Sequence, residues 1–353
     1  MEDESGGRGG RRSPLSFGEL AGVRALLAAH VPDVGPLRAS LLSGGRSNLT
    51  YALTDGPRHW VLRRPPLGHV LATAHDMSRE YRVLRALAPT AVPVPRTVLE
   101  HPEPDVLGAP FYVMELVQGD VHRRAGDFAR LDPHDRRRLG YAFVDALAAL
   151  HLVEPGAVGL TDFGRPEGYL ARQVRRWTTQ LASSRSRDVP GLDDLAARLT
   201  DGLPAPQRVS VVHGDYRLDN VIVDADDPGR VLAVLDWEMA TLGDPLADLA
   251  LFALYWQGWG STENPIFATP ADHGFPSSAE LSRRYADATA LDLADDAWAV
   301  DVWYTAFACF KFAVICEGIH YRHSRGLTVG EGFDRIGALV PGIVRRGLDA
   351  LDT

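Results

Sequence analysis

The first third of the chain alternates short apolar runs with turn residues, a pattern typical of antiparallel strands. Ser16 and Glu19 form a capping box, which predicts an amphipathic helix that begins there and continues to about His30. Apolar positions at three- and four-residue steps predict a second helix over residues 75–87. Strands are predicted over residues 37–42, 48–54, 59–63, 96–100 and 111–117. These elements predict a five-stranded antiparallel sheet with an associated helix.

The pattern changes after Gly119, where helical periodicity becomes dominant. Helices are predicted over residues 134–152, 166–184, 191–200, 244–257, 278–287, 293–320 and 331–350. Only short apolar runs between residues 208 and 236 interrupt them, and these predict strands. We therefore predict an α+β fold with a disordered tail over residues 1–15, a β-rich domain over 16–117 and a mainly helical domain over 118–353.

Charge and composition narrow the expected partners and location. The net charge is −9 over 353 residues, and no basic stripe is present, so nucleic acid is not expected as a partner. No uninterrupted apolar run approaches the roughly 18 residues of a membrane span, so no membrane partner is expected. Cys309 and Cys316 fall on one face of a predicted helix and are expected to be buried thiols rather than a disulfide or metal site. Without a signal peptide or cysteine framework, the predicted location is cytoplasmic, and no particular oligomeric state is predicted.

The chemistry of the chain is concentrated in residues 211–220, Val-Val-His-Gly-Asp-Tyr-Arg-Leu-Asp-Asn, and residues 235–238, Leu-Asp-Trp-Glu. An aspartate that follows an apolar strand, here Asp215, can orient and deprotonate a hydroxyl group. Asn220 and Asp236 offer the hard oxygen atoms that Mg²⁺ prefers. Two apolar runs flank a turn at residues 226–229 and predict a hairpin that carries Asn220 and Asp236 into one site. This spacing predicts phosphoryl transfer from a metal nucleotide.

These motifs, together with residues 239–249, resemble the aminoglycoside phosphotransferase-like kinase family. Within that family, the sequence of these motifs is most similar to a subgroup of kinase-like domains that are fused to, or resemble, the amino-terminal part of some acyl-CoA dehydrogenases. The similarity covers residues 20–350. It implies a protein-kinase-like bilobal fold, with an antiparallel sheet and a helix in the N-lobe and a mainly helical C-lobe. It also implies ATP, or another nucleoside triphosphate, and Mg²⁺ as cofactors.

The resemblance implies a role for each residue of the motif. Asp215 would be the catalytic aspartate, and Asn220 and Asp236 would be the metal ligands. His213 would fix the shape of the loop, and Asp248 would hold the loop from beneath. For Asp219 and Asp244, a turn or cap role is as consistent with the sequence as a functional one.

In the N-lobe the resemblance points to the turn between the first two strands. Backbone N–H groups of Gly44 and Gly45 and the hydroxyl of Ser47 would meet nucleotide phosphates, with an ordinary hairpin turn as the alternative. Glu115 and Val117 are expected to meet the adenine edge through their backbone.

The strand over residues 59–63 ends where the family usually has a phosphate-binding lysine. Arg63 occupies this position, and Arg64 is an alternative for the same role. Lys311 is the only lysine of the chain and is too distant in sequence to take that place. Glu80 is expected to pair with Arg63, with a solvent-exposed glutamate as the alternative.

The acceptor is predicted to be a small molecule. Residues 237–247 are too few for the regulatory segment of a protein kinase, and Gly214 stands where protein kinases have an arginine. No acidic trough for a polycation is evident near the carboxyl terminus. Aromatic residues within 252–259 and 303–312 are expected mainly in the core, and the remainder could line an acyl pocket.

The predicted function is therefore ATP-dependent transfer of phosphate to a hydroxyl group of a small molecule, with a hydroxyacyl compound as one candidate. The alternatives are an aminoglycoside or amino-alcohol kinase and a catalytically silent nucleotide-binding module. A metal-dependent hydrolase built on His213 is disfavoured because the motif lacks further histidine ligands.

Overall fold

The fold comes from a computed structural model, which describes residues 15–42, 48–66, 76–123, 125–206, 208–258, 274–291, 302–327 and 332–353. The chain divides into two compact units, and the first contains the residues up to Arg85 together with Pro95–Leu116. The second contains Ala86–Val94 and Val117–Thr353. The carbonyl of Pro93 accepts a hydrogen bond from the Val234 N–H at 2.8 Å. This bond ties residues 86–94, which the sequence pattern placed in the first domain, to the second unit.

The first unit contains the predicted antiparallel sheet. Its strands are β1 (Arg38–Leu41), β2 (Leu49–Thr54), β3 (His59–Arg64), β4 (Thr97–His101) and β5 (Phe111–Glu115). They pair in the order β1-β2-β3-β5-β4, and every pair is antiparallel. Leu49, Tyr51 and Leu53 of β2 are buried while the residues between them are half-buried. This alternation places one face of the strand in the core.

The same unit contains α1 (Phe17–Leu27) and most of α2 (Met77–Leu87), whose last two residues belong to the second unit. The predicted capping box begins α1: the Ser16 hydroxyl accepts from the Glu19 N–H, and Glu19 accepts from the Ser16 N–H at 2.7 Å. In α2 the apolar side chains are buried along one face, and Glu80 is buried with them at 1% exposure. A buried carboxylate needs polar partners, so this helix also carries part of the candidate site.

Helices form most of the second unit. They are α3 (Pro133–His151), α4 (Tyr169–Ser184), α5 (Leu192–Asp201), α6 (Pro245–Gln257), α7 (Ser278–Thr289), α8 (Val302–Ser324) and α9 (Phe333–Leu351). Helix α8 lies at the centre and packs against α9, α6, α4 and α5. The helix predicted over residues 293–320 corresponds to α8, which ends later than predicted, at Ser324. The first residues of that prediction, 293–301, lie outside the described residues.

By length and hydropathy, α8 is sufficient to cross a membrane, which the sequence pattern did not lead us to expect. Within the fold, however, 83% of its most apolar window is buried. Both cysteines lie in this helix as free, buried thiols. The described aromatic residues of the two predicted segments are buried as well: Phe252, Tyr255, Trp256, Trp303, Tyr304, Phe307, Phe310 and Phe312. A helix that is apolar on all sides is thus accounted for by its place in the core.

Four short strands position the motif residues in the second unit. β6 (Ser210–Val212) pairs with β9 (Thr241–Gly243), and β7 (Val221–Val223) pairs with β8 (Val231–Val234). Both pairs are antiparallel, and the β7–β8 pair is the hairpin predicted from sequence. Strand β9 was not predicted, because three residues between two turns give no readable period.

Candidate active site

The motif loop begins where the buried strand β6 ends. His213 is fully buried, and its Nε2 lies 2.9 Å from the carbonyl oxygen of Leu235. Its Nδ1 accepts the N–H of Asp215 at 3.2 Å. These two contacts assign the neutral tautomer with the proton on Nε2. Both ring nitrogens are therefore bonded to backbone groups, the Leu235 carbonyl and the Asp215 N–H, which fits the supporting role expected for His213.

Asp248, near the start of α6, lies beneath this loop and is 2% exposed. One oxygen accepts the His213 N–H, and the other accepts the Gly214 N–H at 2.9 Å. The His151 Nε2 lies 3.5 Å from Asp248 Oδ2, which is within the range of an ion pair but long for a hydrogen bond. Burial raises the pKa of the Asp248 carboxyl, but the neighbouring His151 ring and the Lys311 ammonium group outweigh it and hold that pKa below its ordinary value. The ionised carboxylate thus anchors two consecutive amides.

Asp215 lies at the centre of the loop, with a quarter of its side chain exposed. Among the described residues, both hydrogen bonds to its carboxylate use Oδ2, from Arg217 Nε at 3.0 Å and from Asn220 Nδ2 at 3.2 Å. The surrounding protein raises the pKa of Asp215 by desolvation, but Arg217 and Lys311 outweigh that effect and hold the pKa below the usual aspartate value. The carboxylate is therefore ionised at neutral pH, and neither of these two hydrogen bonds uses its Oδ1.

Arg217 bridges two carboxylates of the loop and was not among the site residues predicted from the sequence. Its Nη1 lies 2.7 Å from Asp219 while Nε contacts Asp215. Burial lowers the pKa of the Arg217 guanidinium, but the two aspartates more than compensate. The two acids differ, since burial leaves the pKa of Asp219 raised whereas that of Asp215 is lowered. Arg217 is the one arginine or lysine within residues 211–220. A single cation among the aspartates of the motif is the sequence signal from which its role could have been predicted.

The hairpin brings the two predicted metal ligands together. Val221 pairs with Val234, and the Leu235 N–H donates to the Asn220 carbonyl at 2.8 Å, so Asp236 follows directly beside Asn220. Asp236 has a φ of +66°, a left-handed conformation that costs free energy in a residue with a Cβ. The Asn220 amide nitrogen donates to Asp215, so its amide oxygen is the atom that a cation would use. This oxygen and the Asp236 carboxylate are a donor set that suits Mg²⁺.

Arg63 and Glu80 lie together in the first unit. Arg63 Nη1 is 3.3 Å from Glu80 Oε2, and the Arg63 side chain is 12% exposed. Glu80 also accepts hydrogen bonds from Asn48 Nδ2 at 3.0 Å and from the Tyr112 hydroxyl at 2.9 Å. Glu80 is therefore a buried partner of Arg63 and not a solvent-exposed residue.

Arg64, the alternative to Arg63, has other partners. Its guanidinium donates to the Leu107 carbonyl at 3.0 Å and to the Tyr51 hydroxyl at 3.4 Å, and the residue is 5% exposed. These contacts account for Arg64 as part of the core of the first unit.

The remaining nucleotide-binding predictions are only partly covered by the structure. Gly44, Gly45 and Ser47 lie outside the described residues. The Glu115 side chain pairs with Arg96, and its N–H donates to the Arg96 carbonyl at 2.9 Å. That amide is therefore already bonded, and an adenine contact at this position would have to use the Glu115 carbonyl or the backbone of Val117.

Comparison with known proteins gives these contacts a context. The sequence profile of the phosphotransferase enzyme family matches residues 38–299. A crystal structure from Ralstonia eutropha, described as a candidate aminoglycoside phosphotransferase, is 32% identical with a TM-score of 0.80. It covers 94% of this chain, which in turn covers 98% of that protein.

Two curated relatives are longer than this chain. Human acyl-CoA dehydrogenase family member 11 is 33% identical over 92% of the chain, and mouse family member 10 is 34% identical over 86%. The matched segments make up 42% and 28% of those proteins. The chain thus spans less than half the length of either relative.

Proposed function

This chain belongs to the phosphotransferase enzyme family, and from that premise we propose that it transfers the γ-phosphate of Mg²⁺-ATP to a hydroxyl group of a small molecule. The observation that carries the proposal is that the β7–β8 hairpin places the backbone of Asn220 next to the Leu235-Asp236 segment, while the Asn220 side chain is bonded to Asp215. Phosphoryl transfer needs an oriented nucleophile and concentrated positive charge, and little covalent chemistry from the protein.

Asp215 has the role of orienting the acceptor. Arg217 and Asn220 fix its Oδ2, so Oδ1 can accept the hydroxyl hydrogen and direct the oxygen toward the phosphorus. A carboxylate with a lowered pKa is a weak base, so the proton moves mainly as the new P–O bond forms. Asp215 therefore contributes more through orientation than through prior deprotonation.

Asn220 and Asp236 would hold the metal. When bound there, Mg²⁺ would neutralise negative charge on the β- and γ-phosphate oxygens. The left-handed backbone at Asp236 supports this role, because backbone strain in a residue with a Cβ is common at functional sites.

Arg63 would contact the nucleotide phosphates in place of the usual lysine. Glu80 orients its guanidinium, and the Asn48 and Tyr112 hydrogen bonds hold that carboxylate in turn. An arginine keeps its charge at every physiological pH and can bind two phosphate oxygens at once.

The short chain segment that follows the proposed metal ligand Asp236 favours a small-molecule acceptor over a protein. A short helical turn, β9 and the beginning of α6 occupy residues 237–248. A long activation segment, of the kind with which protein kinases dock peptides, has no place between them.

A hydroxyacyl compound is the first candidate acceptor, because the chain is similar to segments of acyl-CoA dehydrogenase family members 10 and 11. An aminoglycoside or amino-alcohol acceptor is the second candidate, and the description of the Ralstonia protein favours it.

A turnover screen tests the proposal. Purified protein with Mg²⁺ and radiolabelled ATP is offered hydroxyacyl thioesters, hydroxy acids, aminoglycosides and amino alcohols, and labelled products are counted. We expect transfer to one hydroxyl class, and to the hydroxyacyl class first. ATP binding without transfer to any class would favour the silent nucleotide-binding module instead.

A further inference from the structure

Lys311 is a buried cation in the middle of the apolar helix α8. It is 7% exposed, and its ammonium group lies 5.3 Å from the centre of the Trp177 ring. Burying an ammonium group is unfavourable unless other groups compensate for its lost water. Its hydrogen-bond partner is the carbonyl oxygen of Gly214, the residue directly before Asp215. The only lysine of the chain is thus placed against the catalytic loop.

This contact acts on the peptide group that joins Gly214 to Asp215. The carbonyl of that group accepts from Lys311, and its N–H donates to His213 Nδ1 at 3.2 Å. The preceding amide, the Gly214 N–H, donates to Asp248 at 2.9 Å. Because the peptide group is planar, fixing its oxygen and its hydrogen fixes the direction in which Asp215 leaves the backbone.

The electrostatic surroundings favour a cation at this place. Burial lowers the pKa of the Lys311 ammonium, and the carboxylates of Asp248 and Asp215 oppose that shift, while Arg176 of α4 adds to it. Two carboxylates, one on the loop and one on α6, therefore act electrostatically on the ammonium group. A neutral side chain could also donate a hydrogen bond to the Gly214 carbonyl. It would not, however, supply the positive charge that balances the carboxylates of Asp215 and Asp248.

We propose that Lys311 is a positioning residue: its bond to the Gly214 carbonyl sets the orientation of Asp215, and its charge balances the carboxylates of Asp215 and Asp248. The inference rests on the proposed phosphotransferase function. It assigns α8, which carries no motif residue, a direct part in aligning the reaction.

Because Lys311 is the only lysine, its contact can be observed without any substitution at the residue. Tag-free full-length protein labelled with ¹³C,¹⁵N-lysine gives one lysine side-chain signal. Asp215→Asn is expected to shift this signal, and Asp226→Asn, an equal charge change at an exposed turn, is expected to leave it in place. A lysine chemical shift that is unchanged in Asp215→Asn would overturn the proposed contact. This result is independent of whether any acceptor is turned over.

The kinetic test uses Lys311→Met, Lys311→Arg and Glu317→Gln. We expect Lys311→Met to lower kcat about 100-fold, since small displacements of catalytic groups have effects of that size, with the KM for ATP near that of wild type. Lys311→Arg retains a charged donor and should recover part of the loss. Glu317→Gln removes another buried charge from α8, one paired with Arg187, and should leave kcat unchanged. Wild-type kcat in Lys311→Met, or equal losses in Lys311→Met and Glu317→Gln, would refute the positioning role.

The two proposals fail in different ways. If the wild-type protein transfers phosphate to no acceptor, the proposed function fails, and the lysine signal still shows whether Lys311 contacts the loop. If transfer is found but neither the signal nor kcat depends on this contact, only the role of Lys311 is lost.

Discussion

At the scale of single residues, the candidate site consists of buried charges held by specific partners. Asp248 bonds to two consecutive amides, Arg217 contacts two aspartates, and Glu80 accepts two hydrogen bonds and pairs with Arg63. A buried charge costs free energy when one partner is removed, because the remaining group is then uncompensated. Substitutions here are therefore expected to affect stability and function in ways that can be separated.

Arg63 and its neighbour Arg64 allow a matched comparison. Arg63→Ala should weaken ATP binding about 10- to 100-fold, the loss that corresponds to a hydrogen bond to a charged group. Arg63→Lys keeps the charge and should weaken binding less. Arg64→Ala should lower the melting temperature, because the Leu107 carbonyl loses its donor, and should leave ATP affinity unchanged. Titration calorimetry measures both affinities, and a loss confined to Arg64→Ala would exchange the two assignments.

The depressed pKa of Asp248 makes its stabilising effect dependent on pH. The effect of the ionised carboxylate is fully present above the ordinary aspartate pKa of 3.8 and disappears as the pH falls through the lower folded pKa. Asp248→Asn should therefore be destabilised by about 1–3 kcal/mol at pH 7, the cost of an unsatisfied buried donor. The gap to wild type should close below about pH 4.

Melting curves between pH 3 and 7 check this expectation, with the exposed Asp226→Asn as control. A gap between Asp248→Asn and wild type that stays constant, or widens, toward pH 3 would contradict the ionised anchor.

At the scale of elements, the close fit between the loop and the turn after Asp236 determines the shape of the site. Gly214 has a φ of +83°, and a Cβ at this position would lie 2.9 Å from the Met239 Cβ and from the Met239 carbonyl oxygen. Only glycine fits both the conformation and the space. The same close approach explains why an arginine could not stand here without moving the loop.

Gly214→Ala should accordingly lower the free energy of unfolding by about 1–3 kcal/mol and reduce phosphate transfer, since the loop must shift. Gly342→Ala in α9 is the control, because a Cβ there meets nothing within 4 Å. In a helix interior that change should raise stability by about 0.5–1 kcal/mol. Denaturant unfolding compares the two variants. Equal stability of Gly214→Ala and wild type would show that the loop is not confined as described.

Local patterns made much of this arrangement predictable. The capping box, the strands of the sheet and the β7–β8 hairpin each follow from signals within a few neighbouring residues. Strand β9 escaped prediction because its three residues are too few to give a readable period, and its partner β6 lies about 30 residues earlier in the chain. The contact between Lys311 and Gly214 joins distant segments, and the left-handed backbone of Asp236 has no glycine to mark it. Spacing along the chain cannot show either feature.

At the scale of the whole molecule, the two units carry different parts of the proposed chemistry. The first contains Arg63 and Glu80, and the second contains Asp215, Asn220 and Asp236. Each set is held by contacts within its own unit. Binding of nucleotide and alignment of the acceptor can therefore be tested separately, by substitutions that leave the other set intact.

The central claim is that Asp215 aligns an acceptor hydroxyl for attack on Mg²⁺-ATP. The most direct test compares wild type with Asp215→Asn on the best acceptor from the turnover screen, with ATP affinity measured in parallel. We predict that Asp215→Asn lowers kcat about 1,000-fold, within the range for a lost acid–base group, while the Kd for ATP stays close to that of wild type. Phosphate transfer that continues at the wild-type rate in Asp215→Asn would contradict the account.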